Sequence, residues 1–223
     1  MCGRFVQRYT WDDIQDLYEL PDGPARHFAG PPRRRSYGPG QRREAANGGT
    51  ELVSTRWGLV PWWWKKPLKQ LPASFNARAE SVADKPMFRD AFQRHRCVIP
   101  ASGYYEWLKK HDGKQPYFIS AADGGVLSFA GLWDRWKNPE TGEPVISCTI
   151  IVTDANALTR AIHDRMPVVL DKADIGLWLN GAVGTELLRP AAEDRLQMWP
   201  VSRQVNKTGS GDDDPTLLDE VAA

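Results

Sequence analysis

Five short β-type segments follow one another at residues 97–100, 103–109, 116–120, 126–132 and 145–153, separated by Gly, Pro and Asp turns. A chain with so many short strands and only scattered helical patterns folds as an α+β domain around an antiparallel, barrel-like sheet with peripheral helices. The helical patterns are few. Thr10-Trp11-Asp12-Asp13 reads as a capping box opening a helix to about Leu20. Further helices are expected at 86–95, with Pro86 in the first turn, at 155–161 and at 172–179. Strands are expected at 166–170 and 195–201. Residues 21–49, rich in Pro, Gly and Arg, read as a long exposed loop. One domain is expected over residues 1–207. Residues 208–223, with Asp212-Asp213-Asp214, are expected to form a disordered acidic tail.

Composition narrows the function. No stretch approaches the ~20 apolar residues of a membrane span, and no basic-then-apolar leader is present. The expectation is a soluble, cytoplasmic protein. The net charge of +1 hides an asymmetry: residues 1–110 hold 19 Lys/Arg against 11 Asp/Glu, and residues 111–223 hold 10 against 17. A basic front half suits an anionic partner, nucleic acid first, although an uneven solvated surface gives the same counts. The three cysteines, Cys2, Cys97 and Cys148, are too far apart for a paired metal motif. Cys97 and Cys148 sit in apolar runs and read as buried hydrophobes. No metal and no cofactor is expected.

Cys2 is different. Initiator methionine is normally excised before a residue as small as Cys, which would leave an α-amine and a thiol on one terminal residue. Such an amine, with a reference pKa of ~7.7–8.0, condenses with an aldehyde to an imine, and the thiol then closes a five-membered thiazolidine. By position alone, Cys2 is equally a residue that merely follows the start codon.

Four further clusters carry chemistry. Trp62-Trp63-Trp64 cannot all share one buried face, so at least one ring should be exposed or lie in a cleft where a base could stack, with Lys65, Lys66 and Lys69 following directly; equally, a core and a second small core could share the three rings. Asn76, Arg78 and Glu80 share a polar face if the segment is extended; the guanidinium suits a phosphate, and the face equally suits water. Glu106 is the one carboxylate in an aromatic strand, Gly103-Tyr104-Tyr105-Glu106-Trp107, where a raised pKa would fit a general acid or base, unless it is an edge-strand Glu that faces water. His163 comes at a helix end before an apolar strand, with Asp164 beside it to fix a tautomer, or is simply a helix-terminal residue.

Together and in this order, these segments resemble the SRAP family, the SOS-response-associated peptidases. The stretches that carry the resemblance are MCGRF at the start, RWGLVPWW at 56–63, FNARAE at 75–80, SGYYEW at 102–107, KQPYFI at 114–119, AGLW at 130–133, IHDRMPVVL at 162–170 and WPVSRQVN at 199–206. The resemblance implies a single α+β domain that binds single-stranded DNA and cross-links itself to abasic sites through Cys2. It implies that Asn76 and Glu106 assist at the amine and the sugar, and that His163 handles the opened deoxyribose. Arg4, Arg78 and the Trp63-Trp64 pair match DNA-contacting positions. The family's usual Tyr-Asn-x-Ala-Pro stretch is replaced here by Ser36-Tyr37-Gly38-Pro39-Gly40, which lacks the Asn.

The resulting expectation is a monomeric, nucleoid-associated protein of bacterial type, whose partner is single-stranded DNA containing abasic sites. Its chemistry is of lyase or hydrolase type, including autopeptidase action on Met1. Two other readings remain open: an N-terminal-nucleophile amidohydrolase, which also begins Cys-Gly, and a non-catalytic binder of modified bases.

Overall fold

A computed structural model describes residues 2–20, 37–43, 50–207 and 214–222. Strand β1 (Phe5–Val6) leads into helix α1 (Trp11–Tyr18). The capping box forms as the sequence requires: Thr10 Oγ1 accepts from the Asp13 amide at 3.2 Å, and Asp13 Oδ2 accepts from the Thr10 amide at 2.7 Å. Helix α1 buries Ile14 and Tyr18 and ends at Glu19, which adopts the left-handed conformation.

Two strands then form a hairpin, β2 (Tyr37–Arg43) and β3 (Thr50–Trp57). Here the structure corrects the expectation of a loop over 21–49, because 37–43 is paired along its whole length. Gly and Pro gave a turn signal, but Pro39 is tolerated for a physical reason. It lies opposite Ser54 of β3, while pairing of β2 with its other neighbour begins only at Gln41. Arg33, Arg34 and Arg35 lie outside the described residues.

Short strand β4 (Asn76–Arg78), helix α2 (Arg89–Arg94) and strands β5 (Arg96–Ala101), β6 (Gly103–Lys110), β7 (Gly113–Ala121), β8 (Leu127–Lys137) and β9 (Pro144–Asp154) follow. The five expected strands are thus present. Helix α3 (Ala157–Arg160), β10 (Arg165–Pro167), α4 (Lys172–Leu179) and β11 (Leu196–Pro200) complete the order.

One sheet runs β10-β9-β3-β2-β5-β8 and curls until β8 also pairs with β9. The barrel-like reading holds, with a qualification: β3 and β4 both pair parallel to β9, so the sheet is mixed. A second sheet, β1-β6-β7-β11, is antiparallel throughout. Strand β6 divides its side chains by simple alternation. Tyr104 joins the core shared with the barrel, which includes Cys2, Phe5, Trp57, Ile99 and Phe129. Tyr105 points to the other side and packs with Val6, Phe118, Val201 and Val205. Helices α1, α2 and α4 cover another apolar surface through Ile14, Phe92 and Trp178.

Where the tail was expected to be disordered, residues 214–222 are docked. Leu217 and Leu218 pack on the cluster around Tyr105, Trp199 Nε1 donates to the Leu218 carbonyl at 2.7 Å, and Val201 bridges to Glu220. An apolar pair within an acidic segment gives it something to bury. Residues 208–213 lie outside the described residues. Among the described residues, no helix is long and apolar enough to cross a membrane.

Candidate active site

The N-terminal arm is laid along β6. Phe5 pairs with Tyr104 and Val6 with Gly103, and the Tyr105 amide donates to the Arg4 carbonyl at 2.9 Å. Gly103 lets β6 close against β7: a Cβ there would come within 2.3 Å of the Phe118 ring and 2.6 Å of the Ile119 carbonyl oxygen. The arm carries Cys2 into the core, where it is 0% exposed.

Asn76 holds Cys2 in place. Strand β4 runs beside β9 with Asn76 opposite Ile150. The preceding Phe75 carbonyl is fixed by the Trp57 indole at 2.8 Å and by the Ile150 amide at 3.1 Å. From this anchored position Asn76 Nδ2 donates to the Cys2 carbonyl at 2.8 Å. Its Oδ1 is buried and has no hydrogen-bond partner among the described residues. The extended face expected for Asn76, Arg78 and Glu80 is real for the first two, which flank buried Ala77. Glu80 departs from it, because the chain turns into a single 3-10 turn at Ala79–Ser81.

Glu106 is 3% exposed, on the same side of β6 as Tyr104. Burial raises its pKa above the usual carboxylate value, against the pull of nearby positive charge that includes His163. Burial first, and then the negative charge of Glu106, pushes the Cys2 thiol far above the ordinary thiol range. A thiol in this state is neutral at physiological pH and a weak nucleophile. Its hydrogen-bond partner is the Arg4 carbonyl, an acceptor 4.0 Å from Sγ.

His163 Nδ1 lies 2.8 Å from Asp164 Oδ1 and 3.0 Å from the Arg165 amide nitrogen. Both contacts cannot be hydrogen bonds at once: the carboxylate requires a proton on Nδ1, and the amide requires a lone pair there. Nδ1 is therefore a point at which protonation can switch partners, and neighbouring Asp164 does face the ring. Arg165 fixes this turn through Glu80, at 2.7 and 2.9 Å, and through Asp154 at 3.4 Å. The segment containing Asn76 and the segment containing His163 are thereby tied together. The sequence reading missed this link, since nothing in either segment names the other as its partner.

The structure thus brings Cys2 and Asn76 into direct contact and places Glu106 within electrostatic reach of both Cys2 and His163. The four expected DNA-contacting residues are more dispersed. Arg78 is exposed. Arg4 is engaged internally: its guanidinium donates to the Val205 carbonyl and lies 5.7 Å from the centre of the Trp107 ring. Trp63 and Trp64 are half-buried, whereas Trp62 is 61% exposed, with its indole donating to Asp90 Oδ2 at 3.3 Å. Its turn is pinned from behind, with buried Asp134 Oδ2 accepting from the Trp62 amide at 2.9 Å and the Trp136 indole donating to the Trp64 carbonyl. Lys65, Lys66 and Lys69 beside it are exposed. Among the described residues, no group of His, Cys, Asp and Glu side chains has the arrangement of a metal site.

Residues 1–208 match the sequence model of the SOS response associated peptidase (SRAP) family. The chain belongs to the SRAP family. Among SRAP relatives, the abasic site processing protein YoqW of Bacillus subtilis is 38% identical over 224 residues, covering 92% of this chain and 94% of that protein. The abasic site processing protein YedK of Escherichia coli is 32% identical, with the same coverage. The chicken abasic site processing protein HMCES is 35% identical over 182 residues, covering 70% of this chain and 54% of its own length. A solved structure from Bordetella bronchiseptica superposes with a TM-score of 0.73 at 28% identity, over 90% of this chain and 100% of that one. The SRAP match ends at the first residue of the expected tail, so the docked segment 214–222 lies beyond it.

Proposed function

We propose that this SRAP protein processes abasic sites in single-stranded DNA by closing Cys2, freed of Met1, onto the C1′ aldehyde as a thiazolidine. The observation that carries this reading is the seating of Cys2: its main chain is held by Asn76, and its neutral thiol is buried near Glu106. The likeness to proteins named for abasic-site processing supports the substrate.

The thiol's state sets the order of steps. A neutral, buried thiol is a poor first nucleophile, so the amine of the same residue attacks first. An abasic sugar is mostly a closed hemiacetal; His163 protonates the ring oxygen and opens it. The Cys2 amine adds to C1′, Glu106 and His163 manage the protons, and loss of water leaves an imine. The thiol then captures the imine within one residue, an intramolecular step favoured by proximity. Ring closure removes the imine before β-elimination can break the strand. Exposed Arg78 and Trp62, with the lysines that follow it, supply phosphate and base contacts around the site.

A thiolate peptidase fits this site less well, because the same burial and the same Glu106 charge disfavour the thiolate. The test is incubation with single-stranded DNA carrying one abasic site, followed by a denaturing gel, using protein whose N-terminus is verified by mass as Cys2. A heat-stable shifted band is expected. Its absence with correctly processed protein overturns the reading.

A further inference from the structure

Two polar atoms near Cys2 have no partner among the described residues although both are buried. One is Asn76 Oδ1; the other is the hydroxyl of Tyr104, on a side chain that is 0% exposed. A buried hydroxyl without a partner is unfavourable, and phenylalanine would fill the same space without that cost. Tyr104 packs in the same cluster as Cys2, with Phe129 edge-on at 5.9 Å, and lies two residues from Glu106 on one face of β6. Burial, then the charges of Cys2 and Glu106, raise its phenol well above the ordinary value. The group is therefore always protonated at physiological pH and serves as a donor, never as a base.

Among the described residues, the hydrogen-bond neighbour of the Cys2 sulfur is an acceptor and not a donor. The neighbouring Arg4 carbonyl is an acceptor, suited to S–H and unsuited to sulfur that is losing its proton. We infer that Tyr104 is a further residue of the reacting centre, whose hydroxyl donates a hydrogen bond to the Cys2 sulfur as it closes onto C1′. In that step the S–C1′ bond forms and the π pair of the protonated imine returns to nitrogen. The thiol proton passes to the Glu106 carboxylate, and the Tyr104 proton stays on its own oxygen. This inference rests on the proposed thiazolidine chemistry and adds to it the group that stabilises developing charge on sulfur.

The experiment compares wild type with Tyr104→Phe in single-turnover reactions on abasic single-stranded DNA, sampled with and without borohydride. Imine is trapped by reduction, and the closed ring is read as heat-stable adduct without reduction. Tyr104→Phe is expected to form imine at the normal rate and to close the ring roughly tenfold to a hundredfold more slowly, the scale of one charge-assisted hydrogen bond. Trappable imine should accumulate, while DNA affinity and melting temperature stay at or above wild type. Alkylation of Cys2 by iodoacetamide should also shift to higher pH in the variant. A tyrosine fluorinated on both sides of the hydroxyl keeps the ring, is a stronger donor, and should close the ring faster; it serves too if the Phe variant folds poorly. Ring closure at the wild-type rate in both variants overturns the role of Tyr104. Absence of any adduct from wild type instead overturns the proposed function.

Discussion

Asn76→Ala separates holding Cys2 from folding the protein. The substitution removes the donor 2.8 Å from the Cys2 carbonyl and leaves that carbonyl without its amide partner in a buried site. Losing such a partner costs about 1–3 kcal/mol. The same change also deletes Asn76 Oδ1, which is itself buried without a partner among the described residues, and this offsets part of the cost. The net stability loss should lie near ~1 kcal/mol, a fall in melting temperature of roughly 2–4 °C for a chain of this size. The reaction should suffer more. With its carbonyl released, the terminal residue loses the fixed geometry that makes amine and thiol attack effectively intramolecular, and a loss of about 100-fold corresponds to ~2.7 kcal/mol. Asn76→Asp is the sharper variant. It keeps the size but sets an acceptor against the Cys2 carbonyl and adds negative charge near Glu106, so it should be slower than Ala. The assay is single-turnover adduct formation at saturating protein, paired with thermal melts. An Ala variant within threefold of wild type, or an Asp variant faster than Ala, would falsify the holding role.

Four other outcomes are expected. Cys2→Ala should abolish the heat-stable adduct yet leave reversible binding of single-stranded DNA nearly intact by gel shift, and a residue inserted between Met1 and Cys2 should be as damaging. Arg78→Ala should weaken single-stranded DNA binding and flatten its salt dependence, with adduct formation near normal once DNA is saturating; an unchanged salt slope removes Arg78 from the phosphate contacts. Glu106→Gln should slow cross-linking while stabilising the fold. Because burial raises the Glu106 pKa above its ordinary 4.5, wild type loses stability relative to the Gln variant as pH climbs from about that value through the raised one, so the gap between their melts should widen with pH. His163→Ala should slow reaction with a closed abasic sugar by ~10²-fold and matter far less on a permanently open aldehyde, whereas equal losses would move its role to a later step.

How much of this was legible in the sequence follows from which interactions are local. Thr10 and Asp13 cap their own helix, and the strands from 96 to 154 are read from turn chemistry and alternation, so these emerge without a fold. Strand β2 does not, because its Gly and Pro residues mimic a loop and only pairing to β3 and β5 makes it a strand. The site divides in the same way. Cys2, Asn76, Glu106 and His163 stand out as chemically capable side chains in unusual company. Arg165 with Glu80 and Asp134 beneath Trp62 are paired across 85 and 72 positions, and the Tyr104 hydroxyl stands out by having no partner among the described residues; neither kind of feature leaves a local trace.

If the proposed thiazolidine chemistry holds, the charge arrangement around Cys2 also explains why one residue would supply both nucleophiles. Had the fold lowered the thiol's pKa, as a thiolate enzyme does, the sulfur would be open to alkylation and oxidation before DNA arrived. Instead, burial and the Glu106 carboxylate keep it protonated and inert. That protection costs initiation by sulfur, and the α-amine, which an internal cysteine lacks, restores it. Once the amine has made a protonated imine, a positive charge stands within one residue of the sulfur, and the penalty on negative charge there is offset at the moment ring closure requires it. On this account the latent thiol and the terminal position form a single requirement. A variant that lowers the thiol pKa, such as Glu106→Gln, should make Cys2 more reactive toward iodoacetamide while making the protein slower at cross-linking, and reactivities that rise or fall together in both assays would break the link between latency and function.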